Sequence, residues 1–220
     1  MFSLFKDKKM RYFVIPAWGR STRFPNKCEI MFPRTANILD YDDPSMVIVS
    51  SDSEKILEMA IDKGFQIINR DEKLLQPETS TRDILIDVAY QKKLLKDDII
   101  VMLYVNYPER TADDLARAQW FFHHNKCKSM LCKMDVLSHP FLCMYGHANE
   151  TGIQIVKHNL NRHQDYPNVF EISHFIAIMK VSELKKLNNN LYNKDTKYFH
   201  IPRTIDIDYK KDYDKFLEGK

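Results

Sequence analysis

Glycine is scarce. The 220-residue chain holds five, where average usage of about 7% would give roughly three times as many. Gly19 is the sole glycine before Gly64. A G-x-G-x-x-G dinucleotide loop or a Walker phosphate loop needs several glycines in one short stretch, so both are excluded, and a nucleotide must be held by side chains and a glycine-poor loop. Cysteine is also sparse: Cys28, Cys127, Cys132 and Cys143 show no C-x-x-C spacing, and reduced, partly buried thiols are expected. No charge sign dominates. Lys+Arg 33 against Asp+Glu 30 leaves +3, with the basic residues scattered, which argues against a nucleic-acid partner. The longest strongly apolar run, residues 99–105, is seven residues, far short of the ~20 that span a membrane. The start, Met1-Phe2-Ser3-Leu4-Phe5-Lys6, is charged within six residues and lacks a secretory apolar region. A soluble, cytoplasmic chain with no membrane partner is expected.

The length suits one domain with a real core. Apolar, β-branched runs at residues 11–15, 46–49, 65–68, 99–103, 130–134 and 175–179 read as buried strands. Helical spacing separates several of them. Ile56, Leu57, Ala60 and Ile61 follow a cap at Ser51 or Asp52 and stop at Gly64. Ile84, Leu85, Val88 and Ala89 follow Ser80; Leu115, Ala118 and Phe122 follow Thr111; a short helix falls near residues 182–187. Strands alternating with helices of about 10 to 15 residues predict an α/β fold of Rossmann-like type, with a mostly parallel sheet between helical layers. Residues 138–168 are irregular and polar, the best place for an inserted arm.

Ligands of open parallel sheets bind outside the carboxyl ends of the strands. Three segments are candidates there. After the first strand, residues 15–27 carry Arg20, Arg23 and Lys27; these cations either hold a triphosphate by charge-assisted hydrogen bonds or form a solvated basic loop. Ser50, Ser51, Asp52 and Ser53 end the second strand, where helix capping competes with ligand contact. Near the C-terminus, Asp206 and Asp208 flank Ile207. In an extended segment both point to one face, where they repel unless a cation lies between. Mg²⁺ suits such a pair with substrate phosphates; the alternative is an exposed edge strand with solvated aspartates.

Read in order, these segments resemble the N-acylneuraminate cytidylyltransferases (CMP-sialic acid synthetases), whose cousins are the CMP-Kdo synthetases. Residues 15–27, Ile-Pro-Ala-Trp-Gly-Arg-Ser-Thr-Arg-Phe-Pro-Asn-Lys, are similar to the family's I-P-A-R-x-G-S-K-R-x-P-x-K-N. Residues 47–56 are similar to V-S-T-D-x-x-x-I, residues 103–114 to L-Q-P-T-S-P-L-R-T-x-x-D, and residues 164–167 to the Q-D-x-P of R-Q-D-x-P. Residues 205–212 resemble I-D-I-D-x-x-x-D closely. The likeness spans residues 11–215 and implies Mg²⁺-dependent transfer of CMP from CTP to an acidic sugar, with release of pyrophosphate. It implies nucleotide contacts from Ala17, Trp18, Gly19, Arg20, Ser21, Thr22, Arg23, Lys27, Asp52 and Arg70. Arg23, Lys27 and Asp208 would be catalytic, and Asp206 and Asp208 would hold the metal. Tyr104, Asn106, Arg110, Gln164, His174 and Phe175 would meet the sugar, and the arm at 138–168 would make a homodimer.

The chain departs from the pattern at Trp18 for Arg, Thr22 for Lys and Cys28 for Asn, and His163 replaces the Arg before Gln164. Only 17 residues, Glu29 to Ser45, separate the first loop from the second strand, where the family fits a helix. Aromatics at Tyr104, Tyr107, His174 and Phe175 imply an acceptor other than plain N-acetylneuraminic acid. Two other functions stay open on the sequence: a relative that keeps the fold with lost or altered chemistry, and a glycosyltransferase using Asp206-Ile207-Asp208 as a D-x-D metal site.

Overall fold

A computed structural model describes residues 9–76 and 78–219; the charged start at residues 1–8 lies outside them. Among the described residues, six strands run parallel: β1 (Arg11–Ala17), β2 (Val47–Ser51), β3 (Gln66–Asn69), β4 (Ile99–Met102), β5 (Ser129–Met134) and β9 (Lys197–His200). A further strand, β8 (Glu171–Lys180), runs against β4 and β5 and lies between them. The sheet order is β3-β2-β1-β4-β8-β5-β9. The chain builds outward from β1 in both directions, which puts the crossover between β1 and β4 and makes their carboxyl ends the expected ligand site.

Alternation along the central strands divides the core. Phe13, Ile15, Val101 and Leu103 face one layer, formed by α1 (Lys27–Asn37), α2 (Glu54–Asp62), α4 (Ala112–His124) and α5 (Lys210–Glu218). Val14, Ile100 and Met102 face the other, formed by α3 (Thr81–Gln91) and the 3-10 turn Val181–Lys186. The expected three-layer α/β arrangement is present. The irregular stretch holds its own hairpin, β6 (Met144–Gly146) with β7 (Gly152–Gln154), separate from the main sheet.

Four elements correct the sequence reading. The short interval after the first loop does contain a helix, α1. Its signal is weak because Pro33 lies inside it and its N-cap, Asn26, is in the left-handed region (φ 58°) with no side-chain cap. Tertiary burial of Cys28, Met31, Phe32 and Ala36 supplies what local propensity lacks. The short strand β9 and the polar α5 were not expected either. The α2 cap is Ser53, whose hydroxyl accepts from Ile56 N–H. That lies beyond the expected Ser51 or Asp52 and leaves Asp52 free for other work.

Pro33 is exposed and removes one intrahelical hydrogen bond. Pro33→Ala restores it, which outweighs the lost restriction of the unfolded chain. The expected outcome is a gain of about 1–2 kcal/mol in urea denaturation; unchanged or lower stability would show that the proline is strain-free in this helix.

Candidate active site

The β1 carboxyl end opens into a loop shaped by one carboxylate. Asp52 Oδ1 accepts from Gly19 N–H at 2.7 Å, and Asp52 Oδ2 lies 3.2 Å from Arg20 Nε. A Cβ on Gly19 would sit 2.9 Å from Ser53 Cβ, so the close approach of loop and β2 requires glycine here. Arg20 also reaches Glu72 at 3.5 Å. Arg70 is buried and donates to Ser50 O at 2.7 Å and Ala17 O at 3.5 Å. It ties the ends of β1 and β2 together, and burial lowers its pKa.

Two cavities meet at this end, divided by Pro16, Trp18 and Tyr104, which line both. One, about 170 Å³, is lined by Arg70, Leu74, Gln76, Thr79 and Thr81. The other, about 220 Å³, is lined by Ser21, Thr22, Arg23, Lys27, Cys28 and Asn106. The first offers apolar surface with amide and hydroxyl groups; the second offers cations and hydroxyls suited to an anion.

The C-terminal segment packs against residues that line the second cavity, Arg23, Lys27 and Asn106. Ile207 is fully buried and donates its N–H to Asn106 O at 3.0 Å. With Ile207 inward, Asp206 and Asp208 both project from the segment, as alternation predicts, although residues 201–208 form no sheet strand. Asp208 faces Lys27 Nζ at 3.2 Å and Arg23 Nη1 at 3.7 Å. Lys27 also donates to Ile207 O at 3.0 Å. Asp206 accepts from Asn106 Nδ2 and from Tyr107 OH, the latter at 2.9 Å. Burial raises the Asp206 pKa, and the charge of Asp208 pushes the same way. Asp212 accepts from the N–H groups of Asp208 and Tyr209 and so begins α5 beside the pair.

The structure therefore brings Ala17, Trp18, Gly19, Arg20, Ser21, Thr22, Arg23, Lys27, Asp52, Arg70, Tyr104, Asn106, Asp206 and Asp208 to one end of the sheet. Arg110 and Phe175 are corrected: both are buried, at 5% and 4% exposure, beneath the loop that follows β4. Arg110 Nη2 donates to Tyr104 O at 2.7 Å, with the guanidinium over the Tyr107 and Phe175 rings. Burial lowers its pKa to about 10. It supports the loop from below. His174 packs edge-on to Tyr104 and bonds Asn190 O at 3.0 Å. Gln164 lies in the arm, in the turn His163–Asp165, and among the described residues makes no hydrogen bond to the site. Sequence reasoning missed Glu109, which accepts from Thr204 Oγ1 and Ile205 N–H. It also missed Thr81, bonded to Tyr104 OH. No spacing signals either contact, because each partner comes from a distant segment.

No protein-family model matches the sequence, and no curated protein matches it. Solved structures do match in fold. The CMP:2-keto-3-deoxy-manno-octonic acid synthetase complexed with CTP superposes with a TM-score of 0.64 at 14% identity, over 96% of this chain and 98% of that one. A cytidylyltransferase from Leptospira borgpetersenii gives 0.59 at 16% identity, over 95% and 85%. The 4-diphosphocytidyl-2C-methyl-D-erythritol synthase from Anaerococcus prevotii gives 0.61 at 12% identity, over 96% of both chains. The chain has a cytidylyltransferase-like fold. Its fold neighbours are not specific to enzymes of sialic acid. No helix among the described residues is long and apolar enough to cross a membrane.

The raised Asp206 pKa gives a signed prediction. A carboxyl that prefers its protonated form in the fold costs nothing at acid pH and costs stability once ionised. That part of the stability is lost as pH rises past the ordinary carboxylate range, about pH 4. Asp206→Asn is expected to flatten this slope in denaturation curves measured between roughly pH 4 and 7; an unchanged slope would mean that Asp206 ionises freely.

Proposed function

We propose that the protein is a cytidylyltransferase that moves CMP from CTP to a hydroxyl of an acidic sugar, with release of pyrophosphate. The observation that carries this reading is a cavity at the carboxyl end of β1 lined by Arg23, Lys27 and Asn106, with Asp208 against the two cations and Asp206 against Asn106, in a cytidylyltransferase-like fold. The first cavity suits a nucleobase and the second its phosphates.

In this reading Lys27 and Arg23 hold phosphate oxygens and stabilise charge on the departing pyrophosphate. The loop fixed by Asp52 orients the α-phosphate toward the acceptor. The acceptor oxygen forms a bond to the α-phosphorus, the bond to the pyrophosphate oxygen breaks, and the hydroxyl proton is released. The residues present fit Mg²⁺. Among the described residues no group of three acidic, His or Cys side chains could hold a metal unaided, but a two-carboxylate set completed by phosphate oxygens is the usual Mg²⁺ arrangement. The raised Asp206 pKa is also of the kind a nearby cation relieves. Asp206 and Asp208 would hold it, and when bound it would supply positive charge to the phosphates. Tyr104, which lines both cavities and packs edge-on to His174, supports an acceptor shaped by aromatic rings, distinct from plain N-acetylneuraminic acid.

A thermal-shift titration with CTP, ATP, GTP and UTP, with and without Mg²⁺, tests the reading. Ligand at a hundred times its dissociation constant stabilises by about 2.7 kcal/mol. A CTP-selective, Mg²⁺-dependent rise is expected, together with pyrophosphate release on an acidic-sugar panel and its loss in a folded Asp208→Asn variant. No response to any nucleotide would favour a fold kept without its chemistry.

Residues 138–168 would form an inserted arm within a single domain and pair two copies. Leu142, Met144, Tyr145 and Ile153 are each more than half exposed there, an apolar array of the kind that marks an interface. Ile153→Asp is expected to convert a dimer into a monomer in sedimentation velocity without altering the far-UV spectrum; a wild-type monomer would refute the pairing.

A further inference from the structure

At the end of the sheet opposite the candidate active site, the last turns of α3 face the turn Val181–Lys186 across a groove of about 410 Å³. Its lining is largely aliphatic, from Ile86, Ala89, Leu94, Val181 and Leu184. Tyr90 stands on its edge at 82% exposure, and Leu95 follows at 55%. Among the described residues the Tyr90 side chain makes no hydrogen bond or ring contact, although its carbonyl accepts from Lys93 N–H at 3.2 Å.

The surroundings are lysine-rich. Lys96 and Lys185 line the groove, Lys93, Lys180 and Lys186 adjoin its lining residues in sequence, and Lys92 lies two residues from both Tyr90 and Leu94. Of these six, Lys186 alone is ion-paired among the described residues, with Glu183 at 2.9 Å. The acidic groups of the same elements are mostly engaged elsewhere. Glu183 and Asp98 are buried; Asp98 accepts from Met10 and Leu95 N–H groups; Asp87 accepts from Gln91. Asp97 remains exposed. Burial lowers the Lys92 pKa with no acidic neighbour acting against it. An apolar groove is thus bordered by six lysines, of which Lys186 alone has an ion-pair partner among the described residues.

We propose that this groove docks an acidic segment of a partner protein, with one or two aliphatic or aromatic side chains between Tyr90 and Leu184 and flanking carboxylates on the lysines. Apolar anchors in a pocket supply most of the affinity at such surfaces, and charge complementarity supplies partner choice and association rate. A second copy is a poor occupant, because a two-fold contact sets a patch against itself and would oppose lysine to lysine. The docking surface is independent of the cytidylyltransferase reading.

A random-peptide library displayed on phage, selected on the wild-type protein and counter-selected on Tyr90→Ser/Lys96→Glu, tests it. Both positions are exposed, so the fold is kept; Lys185→Glu serves as a second variant. Peptides pairing aliphatic or aromatic residues with Asp and Glu are expected to emerge. Their affinity should fall roughly tenfold or more on either variant and weaken with salt. Peptides that are basic or neutral, or that bind variants and wild type alike, would overturn the proposal. So would a wild-type dimer that the variants dissociate in sedimentation.

Discussion

The site rests on one ammonium group. Lys27 begins α1 and donates to Ile207 O at 3.0 Å while facing Asp208 at 3.2 Å, across about 180 residues of sequence. This contact fastens the last segment of the chain onto the loop after β1. Ile207 is then buried, its N–H meets Asn106 O, and the flanking carboxylates contact residues that line the cavity: Asp208 meets Lys27 and Arg23, and Asp206 meets Asn106. Without that clasp the segment has no sheet partner at this point, since β9 ends at His200. The lysine therefore positions both the anion-binding and the acidic halves of the site.

The two carboxylates are held differently. Asp208 lies between two cations, whereas Asp206 is partly buried and bonded to neutral donors, the Asn106 amide and the Tyr107 hydroxyl. Burial and a like-charged neighbour both raise the Asp206 pKa. That disfavours the ionised form in the free protein. Tyr107 is supported from beneath by Arg110, so a buried cation bears on the acidic pair through the Tyr107 hydroxyl.

Much of the fold was legible because burial and periodicity coincide. The apolar runs at residues 99–103 and 130–134 fall in strands with almost fully buried patterns, and Ser80 and Thr111 cap the helices they were expected to begin. The misses have physical causes. Helix α1 is carried by tertiary packing against a proline; α5 is short and polar; β9 alternates too weakly to stand out. Motif order located the cluster of Lys27, Asp206 and Asp208, but side-chain direction was not readable. Arg110 keeps its place in the 103–114 motif yet turns into the core, because a loop motif fixes position along the chain and not which face becomes solvent; Phe175 lies where β8 is buried on both faces.

The departures at Trp18 and Thr22 bear on how the site would handle negative charge. Arg20 does not stand in freely for the Lys that the resembled pattern has at Thr22: it is drawn to Asp52 at 3.2 Å and Glu72 at 3.5 Å. Its charge is largely spent on the protein's own carboxylates. Arg70 is likewise committed to backbone and hydroxyl oxygens of β1 and β2. Arg23 and Lys27 remain, and both face Asp208. A polyphosphate entering the second cavity must therefore compete with Asp208 for its cations. In the proposed chemistry that competition gives the acidic pair a reason to take a divalent ion along with the nucleotide. A cation on Asp206 and Asp208 would release Arg23 and Lys27 to the phosphates, so nucleotide and metal binding would be coupled through the same two basic side chains.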